Sequence, residues 1–138
     1  MSGIVQRLRD FCCWWWSLDQ AHLQGMRLLN KNLTPSQRNQ LEWRNYFEVV
    51  GSDTGTLYRI HLGDRMNVEQ LDASGKRVQG LCFLPKGGLP VGDTMLAQKI
   101  ALELFEIEAL RRATKLLPWE GPYAPYNFRS FRYRCSGG

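Results

Sequence analysis

Between Tyr46 and Leu84 the hydrophobic pattern repeats every second residue, and on either side of that stretch it repeats every three to four. This change of period constrains the fold most, because a period of two puts alternate side chains on opposite faces of a strand, whereas a period near 3.6 gathers them on one stripe of a helix. The runs "YFEVVGS", "LYRIHL", "MNVEQLD" and "RVQGLCFL" are rich in β-branched and aromatic residues and are separated by "DTGT", "GDR" and "ASGK". Gly, Asp and Ser at those breaks supply positive φ and side chains that imitate backbone turns. The spacing predicts a four-stranded antiparallel meander. Tyr58, Ile60 and Leu62 alternate with Arg59 and His61, which predicts one buried and one wet face.

The flanks read as helices. Ile4, Leu8, Phe11, Trp15, Leu18, His22, Met26 and Leu29 form one stripe of a long amphipathic helix that ends around Asn30 to Asn32, with Gly25 a point where it can break. In "TPSQ", Thr34 is placed to cap, Pro35 to open and Gln37 to close a capping box, so a short helix is expected as far as about Trp43. After "PKGGLP", Asp93 is the expected N-cap of a helix from Thr94 to about Leu117, whose Met95, Leu96, Ile100, Leu104, Ile107 and Leu110 form the apolar band that covers the sheet. Glu103, Glu106, Glu108, Arg111, Arg112 and Lys115 fall largely on the other side, and Pro118 ends the helix. The expected fold class is α+β, organised as a Trp-rich helix (1–32), an α+β core (33–117) and an extended Pro/aromatic/Arg-rich tail (118–138). One domain is what 138 residues accommodate.

The three adjacent tryptophans of "CCWWW" cannot all face one core, since neighbours on a helix are about 100° apart. Trp15 lies on the apolar stripe and is expected to pack against the body of the protein. Trp14 and Trp16 flank it and are expected at a surface that a partner protein or a bilayer headgroup region covers, with Arg7 and Arg9 close by to meet an acidic face or anionic lipid. At the other end, Phe128, Arg129, Phe131, Arg132, Tyr133 and Arg134 interleave guanidinium charge with stacking surfaces, the composition that single-stranded nucleic-acid binders use. The net charge of +5 favours anionic partners without choosing among nucleic acid, an acidic protein face and a membrane surface. Arg129, Arg132, Tyr133 and Arg134 are the candidate contacts for such a partner.

Enzymatic chemistry is weakly signalled. "GGLPVGDT" has the outline of a phosphate-binding loop, but Asp93 stands where that loop needs its lysine, and a carboxylate there repels phosphate. Neither His22 and His61 nor the four cysteines show metal-ligand spacing, so no metal or other cofactor is expected. Cys82 and His61 can be neighbours across the sheet and form a nucleophile pair, without a visible third group to orient them. Cys82 reads equally as a small core residue. Gly137-Gly138 resembles the end of ubiquitin-like modifiers, but no strand is visible after the helix to complete such a fold. Cysteines without paired spacing and an N-terminus without a secretory pattern point to a reducing, cytoplasmic setting, with peripheral contact at the inner membrane allowed.

The stretch "MNVEQLDASGKRVQGLCFLPKGGLPVGDTMLAQKIALELFE" is similar to one in small alphaproteobacterial proteins of no assigned activity, where an "NV..LD..G" hairpin leads to "CF.P.G.L..GD.MLAQK.ALE". The likeness covers roughly Leu33 to Leu110. It implies an α+β unit and carries no catalytic residue. The expected function is therefore a small non-catalytic interaction protein, an accessory or adaptor subunit. The alternatives are a nucleic-acid binder acting through the tail and a small enzyme built on Cys82 and His61.

Overall fold

A computed structural model describes residues 20–116, and the Trp cluster and the Arg-aromatic tail lie outside them. Helix α1 covers residues 20–32, followed by α2 (Pro35–Arg44), the strands β1 (Tyr46–Val50), β2 (Leu57–His61), β3 (Val68–Leu71) and β4 (Arg77–Cys82), then α3 (Val91–Leu104), α4 (Glu106–Arg112) and β5 (Thr114–Leu116). The fold is α+β with one antiparallel sheet in the order β1-β2-β3-β4-β5. The four expected strands are present. The fifth corrects the sequence reading: the chain leaves the helix at Arg112, and Thr114 to Leu116 pair with Cys82 to Gly80. A strand does follow the helix, then, but it joins the free edge of the meander.

The core lies between one face of the sheet and the helices. Phe47 and Val49 of β1, Tyr58 and Ile60 of β2, Val68 of β3 and Leu81 of β4 meet Leu29, Leu33, Leu41, Met95 and Leu102, and nearly all of these are fully buried. Leu62, expected in the buried set, is instead exposed just beyond the end of β2. The register Phe47↔Ile60↔Val68↔Leu81 lines one row across four strands. Asp72 sets the β3–β4 turn by accepting hydrogen bonds from Ser74 and Lys76, with Gly75 at φ 82°.

The capping box of α2 forms as the sequence predicts: Thr34 accepts from the Gln37 amide and Gln37 accepts from the Thr34 amide. Gln37 also donates to the Glu48 carbonyl and Gln40 accepts from the Glu48 amide. These are outward-facing groups of the edge strand β1, so two glutamines cover an edge that would otherwise template pairing with another chain.

Helix α1 is continuous through Gly25. Its buried positions are Gly25, Leu29 and Leu33 just past its end, whereas His22, expected on the apolar stripe, is exposed. The reason is a crossing of α1 and α3 at two glycines. A methyl group on Gly92 would overlap the Gly25 carbonyl and the Met26 amide, so the two backbones touch. That contact also moves the start of α3: Val91 and Gly92 are already helical, Pro90 is the N-cap, and Asp93 sits in the first turn rather than capping.

The expected single helix from Thr94 to Leu117 is broken at Phe105 (φ −138°, ψ 44°) by the β1–β2 loop. The Ser52 amide bonds to the Leu102 carbonyl (3.1 Å), while the Ser52 hydroxyl and the Asp53 carboxylate accept from the Glu106 and Ile107 amides (3.3 and 3.2 Å). In return, the Glu106 carboxylate, fully buried, accepts from the Asp53 amide (2.7 Å), the Thr54 amide (2.8 Å), the Thr54 hydroxyl and the Tyr58 hydroxyl (2.7 Å). Loop and helix cap each other, and α4 begins where the loop supplies its caps.

Candidate interaction surface

The described residues present two surfaces with chemical character. The first is the sheet face turned away from the helices. There Glu48, Arg59 and Glu69 stand in one row across β1, β2 and β3, so their charges alternate. Arg59 pairs with Glu48 at 2.9 Å and lies over the Tyr46 ring at 4.4 Å. Glu69 receives His61 Nε2 at 3.0 Å and Arg77 at 3.7 Å. Burial pushes the Glu69 carboxyl up, but His61, Arg77 and Arg59 outweigh it and hold the group below the ordinary carboxylate range. A carboxylate so neutralised is a cross-strand tie rather than a base waiting for a substrate.

The Cys82–His61 pair is not formed. The two residues lie on β4 and β2, about two strand spacings (~10 Å) apart, and His61 faces Glu69. Cys82 is buried and disulfide-bonded, where the sequence reading expects a free thiol. A disulfide sulfur is no thiolate nucleophile. Among the described residues no group of three or more His, Cys, Asp or Glu side chains gathers to hold a metal ion, and no helix is long and apolar enough to cross a membrane.

The second surface is the outer side of α3 and α4. The stripe of α3 and α4 that faces the core is Gly92, Met95, Lys99, Leu102, Glu106 and Ala109, with Thr94 and Gln98 beside it. Polar side chains on that stripe are tolerated because each is bonded. Lys99 pairs with Glu103, Glu106 binds the loop, and Gln98 exchanges hydrogen bonds with Asn67 (2.8 and 2.9 Å) while donating to the Phe83 carbonyl (3.1 Å). This is a correction to the sequence reading in which Ile100, Leu104 and Ile107 belong to the core band. Those residues face water: Ile100 is 42% exposed, Leu104 64%, Ile107 49%, and Phe105 at the break 61%. They form an apolar ridge, with Glu108, Arg111 and Arg112 exposed beside it and joined by i, i+3 and i, i+4 ion pairs. Trp43, at the end of α2, is a further exposed aromatic at 81%.

Of the docking residues expected from the sequence, Arg7, Arg9, Trp14 and Trp16 at one end and Arg129, Arg132, Tyr133 and Arg134 at the other all lie outside the described residues. The ridge was legible only in part: its members stood out as apolar, but their side of the helix depends on contacts from the distant β1–β2 loop. Comparison with protein-family models, with curated proteins and with solved structures finds no match.

Proposed function

We propose that this chain is a small non-catalytic interaction protein, an accessory or adaptor subunit that docks on a protein assembly or at a membrane surface. The observation that carries the reading is the apolar ridge Ile100, Leu104, Phe105 and Ile107, which the fold leaves in water although the same helices bury charged and amide side chains beneath it. Contiguous exposed apolar surface rimmed by charge is what contact faces are made of. Trp14 and Trp16 with Arg7 and Arg9, and the Arg129–Arg134 segment, are proposed as further contacts of the same function, reaching a protein partner or anionic lipid.

The test is affinity purification of the tagged full-length chain, followed by reconstitution with the purified partner it retains. Leu104→Glu with Phe105→Ser, and separately Trp14→Ser with Trp16→Ser, should each weaken the reconstituted complex while leaving the melting curve in place. A complex indifferent to both variants would overturn the proposal. So would a retained nucleic acid whose affinity falls linearly in log salt and is lost on substituting Arg129, Arg132 and Arg134, because that is the signature of phosphate binding.

A further inference from the structure

The sheet face turned away from the helices is too well buried for a surface that only its own side chains cover. Leu71 and Cys82 are 3% and 4% exposed, yet neither belongs to the core cluster between sheet and helices. Both stand on the opposite face: Leu71 is two residues beyond Glu69 on β3 and opposite Arg77, and Cys82 is two beyond Gly80, the register partner of Glu69. Glu69 is buried beside them, and the Nε atoms of Arg59 and Arg77 are shut off from water. His61, Arg77 and Cys82, all of this face, each have a partner besides those named above. An apolar side chain on an open sheet face loses its water only to a covering layer, and the described helices pack on the other side. What remains of the chain to supply that layer is residues 1–19 and 117–138.

The disulfide decides between them. The chain has four cysteines, so Cys82 is joined to Cys12, Cys13 or Cys135. We propose that the partner is Cys12 and that residues 4–16 lie as a helix on this sheet face, with Ile4, Leu8, Phe11 and Trp15 turned to Leu71 and Cys82. At about 100° per residue, Cys12 falls within about 40° of Leu8 and about 60° of Trp15, on the edge of that stripe, whereas Cys13 falls about 140° from Leu8, on the far side. Cys135 is disfavoured by charge. Glu48 and Glu69 are already paired with Arg59, His61 and Arg77, so Arg132 and Arg134, carried in with Cys135, would meet cations and no free carboxylate. Indoles suit the face instead, because guanidinium planes stack on aromatic rings. Ser17 and Gln20 have the capping-box spacing of Thr34 and Gln37, which starts a new helix at Ser17 and lets the chain turn there. Cys12 is eight residues before Gln20, a reach of up to about 26 Å against about 20 Å for two layer spacings. The seating stands on these observations; what it adds to the interaction reading, and this consequence alone rests on that reading, is how the docking residues are presented. With Trp15 and Cys12 turned to the sheet, Trp14 shares one flank with Arg7 and Trp16 the other with Arg9, where a partner can reach them.

The experiment equilibrates the full-length chain in a glutathione redox buffer, where closing the bond moves two electrons and two protons from the Cys12 and Cys82 thiols to one oxidised glutathione, giving two reduced ones. Digestion without reductant and mass spectrometry then locate the bond, with Cys12→Ser, Cys13→Ser and Cys135→Ser telling the candidates apart. A link from Cys82 is expected to survive Cys13→Ser and Cys135→Ser and to be lost in Cys12→Ser, whose melting temperature should fall by about 5–15 °C. The seating is read separately in the fully reduced chain, from the rate at which iodoacetamide alkylates Cys82. Leu8→Ala with Trp15→Ala should raise that rate at least about tenfold, whereas Trp14→Ser with Trp16→Ser should leave it within about twofold. A link from Cys82 to Cys13 or Cys135, a link between two chains, or four free thiols at equilibrium overturns the proposal, and so does a Cys82 whose alkylation ignores Leu8 and Trp15. If the link forms as expected but a reconstituted complex ignores Trp14 and Trp16, the docking role of those indoles fails while the seating stands. If the link is absent and the complex still needs them, the seating fails and the docking role stands.

Discussion

At the scale of single residues, Glu106 shows how a charge becomes part of a core. Burial raises its pKa, yet hydrogen bonds from the Thr54 hydroxyl, the Tyr58 hydroxyl and the Thr54 and Asp53 amides outweigh burial and leave the carboxyl below its ordinary value. Glu106→Gln keeps the shape but turns an NH2 group toward groups that are all donors, so a loss of about 2–4 kcal/mol in chemical denaturation is expected. The same contacts set the pH range of stability. A depressed carboxyl contributes fully above the unfolded value near 4.3 and loses that contribution as pH falls through its lower folded value. Tyr58 works the other way, because burial first and then Glu106 push its phenol up, so its contribution is intact below about pH 10 and declines at higher pH. Unfolding measured across pH should therefore give a plateau from about 5 to 10, falling on the acid side through Glu106 and Glu69 and on the alkaline side through Tyr58. Gly92 gives a second residue-scale expectation. Alanine is the better helix former by about 1 kcal/mol, but its methyl would strike the Gly25 and Met26 backbone, which cannot rotate away. Gly92→Ala should thus destabilise, by about 1–3 kcal/mol, in spite of the propensity gain.

At the scale of elements, the sequence was informative wherever a local rule decides. Thr34, Pro35 and Gln37 write a capping box that needs no distant partner, and it forms. The breaks at "DTGT", "GDR" and "ASGK" place the three turns of the meander between strands that are present. What escaped was set by non-local contacts. Periodicity counts discard Lys99, Gln98 and Glu106 as core candidates, yet Lys99 is bonded to Glu103, Gln98 to Asn67 and Phe83, and Glu106 to the β1–β2 loop. Once those polar residues face inward, Ile100, Leu104 and Ile107 must face out. The break at Phe105 depends on Ser52 and Asp53, more than 50 residues away, and β5 is too short at three residues to carry a period. The stretch from Met66 to Glu106 also reads as architecture here. Asn67 and Gln98 form a buried amide pair, Asp72 sets a turn, and Gly92 meets Gly25. Asn67→Ala and Gln98→Ala should each cost about 1–3 kcal/mol, and the double variant less than their sum, since each single change strands the other amide.

At the scale of the whole molecule, a sheet with five strands is tied on one side by cross-strand charge pairs and on the other by helices whose inward stripe is partly polar. Four exposed apolar side chains, Ile100, Leu104, Phe105 and Ile107, fall close together on the α3–α4 ridge, which is why the ridge and not the charged sheet face is the described surface assigned to contact. The claim at the centre of this account is that Ile100, Leu104 and Ile107 are surface residues of the folded chain while Leu102, on the inward side of α3, is core. The most direct measurement is denaturant unfolding at sub-micromolar concentration, where association contributes nothing, of the triple substitution Ile100→Ser, Leu104→Ser, Ile107→Ser beside the single Leu102→Ala. The triple variant should lose no more than about 1.5 kcal/mol, the sum of small surface effects, and Leu102→Ala about 2–5 kcal/mol for a fully buried leucine. A triple variant that loses as much as Leu102→Ala, or fails to fold, would put the ridge in the core and contradict the account.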